Sequence, residues 1–170
     1  MLTRIVLELD IFMEHLEDKT FGTYDATPRV WYSFVDDVIS VVKKHNVQGL
    51  LQHLNKQHGR IQFTMEMENS GSLPFMDIRI TRQPQGELTK EVYQKPTHTN
   101  RCVPFSSHHP ISVKSGVVAC LANRAIRVSS SHVGRDAELG LIQKVMMRNR
   151  YPRKFINKVV SSQFQRHTTS

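Results

Sequence analysis

The apolar residues of this chain change their period part-way along it, and that change constrains the fold more than any single motif. Ile61-Gln62-Phe63-Thr64-Met65-Glu66-Met67-Glu68 alternates apolar and polar over eight residues. This is the pattern of a half-buried strand with Ile61, Phe63, Met65 and Met67 turned inward. Beyond residue 111 the apolar residues recur every three or four positions instead, the period of helices that bury one stripe. A chain with the two periods in separate stretches reads as α+β, with a sheet-bearing half followed by a helical half.

The first half contains further elements. Ile11, Phe12 and Leu16, with Met13 beside them, predict a helix over 5–19, and Val47, Leu50, Leu51 and Leu54 predict one over 46–57. Between these helices, the β-branched and aromatic run Val30–Val35 is followed by Val38–Val42, with Asp36-Asp37 between them. Two short runs separated by two residues predict a hairpin with the aspartates at its tip. Trp31 and Tyr32 read as one buried and one half-exposed strand residue, a packing role preferred to base stacking. Strands over 73–82 and 88–94 follow, separated by a turn at Pro84-Gln85-Gly86, and complete an antiparallel meander with 61–68.

The second half predicts three helices. Ser112 would cap the first, over 112–128, with Val113, Val117, Leu121 and Arg124 on one side and Val118, Ala122 and Ala125 beside them. Ser129-Ser130-Ser131 breaks it. A helix over 135–149 carries Leu139, Ile142, Val145 and Met146, and Tyr151-Pro152 opens a third with Phe155, Ile156, Val159 and Val160 inward. The expected organisation is therefore 1–95, a connecting segment 96–111, and a basic three-helix region 112–170.

Charge follows the same division. Residues 1–100 hold 11 Lys/Arg against 13 Asp/Glu, a net of −2, whereas residues 101–170 hold 12 against 2, a net of +10. A half so cationic favours a polyanionic partner, because each neutralised phosphate releases condensed counterions. No run approaches the ~18 apolar residues of a membrane span, and the basic helices lack the aromatic-rich opposite face of a membrane-surface helix. The first residues, interrupted by Glu8 and Asp10, do not read as a secretory signal. Cys102 and Cys120 fit neither a disulfide framework nor a zinc motif. A reduced intracellular protein, in the nucleus or cytoplasm, is expected. His98, His108, His109 and Cys102 match no metal spacing, so phosphate contact or turn packing is the preferred role for these histidines.

Asp36-Asp37 is the sharpest candidate for chemistry. Adjacent carboxylates suit a hard divalent cation, which takes one or two protein carboxylates and completes its shell with phosphate and water. On the dipeptide alone, an ordinary acidic turn is favoured about three to one. The flanking residues change that balance, because Phe34-Val35-Asp36-Asp37 between two apolar strands resembles motif C of reverse transcriptases. Asp10–Glu17, Leu73–Asp77, Val92–Arg101 and Ser106–Pro110 resemble further blocks in order, and together they resemble the reverse transcriptase of Penelope-like retroelements over roughly residues 10–165.

That resemblance implies a partial polymerase palm followed by a thumb-like region gripping a template–primer duplex. It implies Asp36 and Asp37 as catalytic ligands of Mg²⁺ or Mn²⁺. The candidate nucleic-acid contacts are Arg124, Arg127, Arg148, Arg150, Arg153, Lys154 and Lys158 of the basic second half, with Lys95, His98 and Arg101 of the block Val92–Arg101. The family's motif A strand, with its further metal-binding aspartate, and its motif B core have no counterpart here. The expectation is a fragment, inactive as this chain and with an unpaired sheet edge where the missing strand would lie. The alternative from a different class is a helix-turn-helix DNA-binding module formed by 112–128 and 135–149, reading bases with Gln143, Arg148 and Asn149.

Overall fold

The computed structural model describes residues 2–6, 13–35, 37–60 and 62–168, with only the backbone described at 2–6, 13–16 and 18. The chain divides into two compact units, Met1–Leu88 and Thr89–Ser170.

The first unit runs Leu2–Val6 (β1), Met13–Gly22 (α1), Val30–Phe34 (β2), Asp37–Val41 (β3), Val47–Gln57 (α2) and Thr64–Met67 (β4). The four strands form one sheet in the order β2-β3-β1-β4, and each pairing is antiparallel. This is the βαββαβ order of a split βαβ unit. The helix predicted over 5–19 is thus shorter and later. Thr3, Ile5 and Val6 are β-branched, and β1 has a partner on each side, so strand pairing prevails over local helical tendency. Asp10, Ile11 and Phe12 lie outside the described residues. The place beside β3 is filled by β1, with Val6 opposite Asp37, so the edge expected to be unpaired is not there.

β3 is the buried centre of this unit. On one sheet face, Val38 and Val42 pack with Val47, Leu50, Leu54 and Phe63, flanked by Phe21, Trp31 and Met65. On the other face, Ile39 packs with Leu73, beside Val41, Phe75 and Ile80. Burying each of these side chains contributes about 1.5–3 kcal/mol. Ser40, fully buried among them, is satisfied by donating to the Val30 carbonyl at 2.9 Å. α2 has the predicted boundaries and buried stripe. Its Asn55 both donates to the Phe63 carbonyl (3.1 Å) and accepts from the Phe63 amide (2.6 Å), fixing the entry to β4.

The predicted meander does not form as one sheet. β4 pairs with β1, while Ser72–Phe75 (β5) and Ile78–Arg82 (β6) make a separate antiparallel hairpin. Pro74 has no amide hydrogen, which suits β5 to an edge. The inward alternation of 61–68 also weakens along its length. Phe63 is buried and Met65 half-buried, but Met67 is exposed at the end of an edge strand; Ile61 lies outside the described residues. Leu88–Val92 (β7) is the last strand, and the division between units falls at its first residue.

The second unit is helical: Ile111–Val128 (α3), His132–Arg148 (α4) and Arg153–Thr168 (α5). Val118, Ala125, Ile142, Val145, Met146, Tyr151 and Ile156 form its core. On α3 the buried stripe is Lys114, Val118, Ala122 and Ala125, whereas Val113 is exposed and Val117 and Leu121 are only half-buried. The small Ala122 and Ala125 allow close helix approach, which moves the stripe one position along. Ser112 lies inside α3 and does not cap it; Pro110 holds that position. Ser131 caps α4 by accepting from the Gly134 amide at 3.0 Å.

Residues 100–110 are an arm built into this unit. Phe105 packs edge-on against Tyr151 and Phe155, with ring centroids 5.2 and 5.3 Å apart. Lys114 is buried, yet its ammonium donates to the Ser107 carbonyl at 2.7 Å and sits 5.2 Å from the Phe105 ring centre. A buried charge is tolerable only with partners of this kind.

Candidate nucleic-acid interface

At the tip of the first hairpin, β2 and β3 pair from Val30 opposite Val41 to Phe34 opposite Asp37. The turn therefore begins one position earlier than the predicted Asp36-Asp37, at Val35, and Asp37 is the first residue of β3. Asp36 lies outside the described residues. Val35 has φ +56°, as two-residue hairpin loops demand at their first central position. A β-branched residue pays about 1–3 kcal/mol there. Tyr32 and Phe34, two apart and on one face, stand 70% and 60% exposed; Trp31, on the opposite face, packs edge-on to Phe21 at 5.0 Å. Of the pair expected to be one buried and one half-exposed, Trp31 is half-buried and Tyr32 is exposed. Among the described residues, no three His, Cys, Asp or Glu side chains come together in a way that could hold a metal ion.

The helical unit, Thr89–Ser170, carries 14 Lys/Arg against Glu91, Asp136 and Glu138, a net of +11. No acidic residue follows Glu138, whereas Lys144, Arg148, Arg150, Arg153, Lys154, Lys158 and Arg166 do. The fold gathers five of the predicted contacts around one turn. Arg148 ends α4, Arg150 lies in the turn, and Arg153, Lys154 and Lys158 occupy the first turns of α5, all exposed. The first turn of α5 has no acidic residue, so its cations oppose the helix dipole there, and an anion would relieve that conflict.

The other candidates are not at this turn. Arg127 lies at the end of α3, and α4 with its 17 residues separates that end from Arg148 by roughly 25 Å. Arg124 is half-buried and acts on Glu138. Lys95, His98 and Arg101 are exposed on the segment leading to the arm, where the His98 amide donates to the Lys95 carbonyl.

The α4–α5 turn is held in one shape. The Tyr151 amide donates to the Met146 carbonyl and the Arg150 amide to the Met147 carbonyl, both at 3.0 Å. This is a Schellman motif, completed by the apolar contact of Tyr151 with Met146 in the core. Arg150 takes the left-handed position usually given to glycine, with φ +67°. Asn149 ties the turn to the arm. Its side chain accepts from the Cys102 amide (3.3 Å) and donates to the Asn100 carbonyl (3.2 Å), while the Tyr151 hydroxyl donates to the Val103 carbonyl (2.9 Å). Asn149 is therefore structural, correcting its predicted role as a base reader. Gln143, another predicted reader, donates to Asn157 at 2.9 Å.

On the outward side of α5, the sequence reading named Lys154 and Lys158 but missed Asn157, Ser161 and Gln165. Lys154, Asn157, Lys158, Ser161 and Gln165 are all exposed and recur at helical spacing opposite the inward stripe of Phe155, Ile156, Val159 and Val160. That complementary stripe was the available signal. An open cleft of about 230 Å³ between α4 and α5 is lined by Leu139, Gln143, Asn157 and Ser161, among others.

Titration reflects burial in this unit. Burial pushes the Glu138 carboxyl up, against the pull of the Arg124 guanidinium and a hydrogen bond from Gln94; its Oε1 is buried without a hydrogen-bond partner. Burial likewise raises the Cys102 thiol and, together with Cys102, the Tyr151 hydroxyl.

Residues 101–161 match the family model of the animal helix-turn-helix domain, a span that includes the arm, α3, α4 and the first half of α5. No curated protein and no solved structure matches the chain. The described helices include none long and apolar enough to cross a membrane.

Proposed function

We propose that the helical unit is a helix-turn-helix module that binds duplex DNA. The observation that carries this reading is the coincidence of the helix-turn-helix match with a turn and helix bearing five exposed cations and no acidic side chain. A right-handed helix of this size fits the major groove, about 12 Å wide, with flanking cations on phosphate. With ~4–6 phosphates neutralised, log affinity should fall with log salt at a slope of about −4 to −5. Fluorescence anisotropy on a labelled duplex across a salt series tests this; affinity indifferent to salt would sink it.

A second reading concerns the first unit. Its βαββαβ order, and a hairpin strained at Val35 with Asp37 opening β3, support descent from a retroelement reverse-transcriptase palm, with the helical unit in the place of a thumb on a template–primer. Mg²⁺ or Mn²⁺ would be the ion for Asp36 and Asp37. The whole chain is expected not to extend a primer on an RNA template with either ion. Extension that an Asp36→Ala/Asp37→Ala variant abolishes would overturn that expectation.

A further inference from the structure

We infer that α5, rather than α4, is the helix that reads base sequence, through Lys154, Asn157, Lys158 and Ser161. The inference rests on the duplex-binding reading and adds to it which residues confer specificity.

The three helices differ in what they turn outward. α3 exposes Ile111, Ser112, Val113, Gly116, Cys120 and Arg127, mostly small or apolar. α4 exposes His132, Val133, Asp136, Ala137, Leu141, Lys144, Met147 and Arg148, so that its polar positions are interrupted by apolar ones; Val133 is 82% and Met147 50% exposed. Apolar side chains and a carboxylate suit neither phosphate nor the donor–acceptor pattern of base edges. The two amides α4 could have offered, Gln143 and the adjoining Asn149, are engaged within the unit.

α5 alone among the helices of this unit presents a continuous stripe of side chains that match base chemistry. Lysine donates to guanine O6 and N7 or to phosphate, asparagine pairs with adenine N6 and N7, and serine serves either partner. From Lys154 to Ser161 the stripe spans about 10 Å, and to Gln165 about 17 Å, at 1.5 Å per residue. At ~3.4 Å per base pair that is roughly three to five base pairs.

The stripe is also preorganised. Asn157 Oδ1 accepts from Gln143 Nε2 at 2.9 Å, which leaves the Asn157 amide hydrogens and a second lone pair of Oδ1 for a base. Gln143 is then a positioning residue. The Schellman turn and the Asn149 ties fix the start of the same helix, so Asn157 is held from both directions.

The test is selection from random-sequence duplexes with the full chain, followed by anisotropy on the selected duplex and on a scrambled one. A selected motif of about three to five base pairs is expected. Asn157→Ala should reduce affinity for the selected duplex about tenfold and leave affinity for the scrambled one unchanged. Gln143→Ala should weaken the same base preference without moving to another position of the motif. Lys144→Ala, on α4, should alter neither the motif nor the preference. Salt-dependent binding with no selected motif, or a motif that Asn157→Ala leaves intact, would overturn the inference while the duplex-binding reading stands. No binding to any duplex would instead overturn that reading. Circular dichroism of each variant is expected to be unchanged, since Asn157 is exposed on α5, and separates lost base contacts from lost folding.

Discussion

The sheet unit and the helical unit solve the same problem, enclosing a small core, with opposite materials. The sheet unit relies on large apolar side chains on both faces of β3, and its buried Ser40 needs only one backbone partner. The helical unit packs around alanines and accepts polar groups inside, with partners for Lys114 and Gln163 but none for Glu138 Oε1. Lys114 has Ser107 and Phe105, and Gln163 accepts from Asn123 at 3.0 Å. The sheet unit, with 9 Lys/Arg against 12 Asp/Glu over residues 1–88, is net −3, and the helical unit is net +11. Stability in the first unit therefore comes mainly from burial. In the second, the positive charge that suits a polyanion is carried at the surface, at some cost in self-repulsion.

That contrast can be broken most severely by Leu54→Ala. Leu54 is 1% exposed at the centre of the sheet unit's core, and the cavity should cost about 2–5 kcal/mol in urea unfolding, while duplex affinity stays unchanged. An equal loss of affinity would show that the sheet unit takes part in binding. Next, Lys154→Glu/Lys158→Glu should weaken duplex binding roughly 30-fold at physiological salt and flatten the salt slope, with little change in the unfolding midpoint.

A finer comparison uses one substitution in both units. Val35 and Arg150 each hold a left-handed position. Val35→Gly and Arg150→Gly should each stabilise by about 1 kcal/mol in thermal unfolding. Only Arg150→Gly should also reduce duplex affinity, by a few-fold for one phosphate contact. The smallest effect concerns Glu138. Its folded pKa lies above the ordinary 4.5, so the folded state binds more protons than the unfolded state over that interval. Stability is fully present below about 4.5 and falls as pH rises through the folded value. Glu138→Gln should remove that decline from a series of melts at increasing pH.

The long elements were legible where one signal dominated. α2 followed from Val47, Leu50 and Leu54, and α4 and α5 from their apolar stripes, because burial on a single face imposes its period on the residues. β1 was not legible, since Leu2–Val6 becomes a strand by pairing with β3 and β4, residues 31 or more positions away in sequence. Local pattern carries no trace of such partners. The hairpin was legible, but its frame slipped by one residue: an aspartate is an ordinary turn former and a valine is not, yet Val35 takes the turn position. The candidate site divides in the same way. Charge located the basic end of the chain, whereas the engagement of Asn149 and Gln143 depends on tertiary hydrogen bonds. The outward stripe of α5 needed only the complement of a stripe already read.

The anchoring of the arm sets where this protein can be cut. A piece begun at Ile111 would keep all three helices and lose what closes them. The Asn149 amide and the Tyr151 hydroxyl would give up their partners in the arm, the faces of Tyr151 and Phe155 that Phe105 covers would be wetted, and the Lys114 ammonium would have no carbonyl beneath it. A transplantable module must therefore start upstream of Asn100, and a tag or fusion partner belongs ahead of the arm, never between it and the first helix.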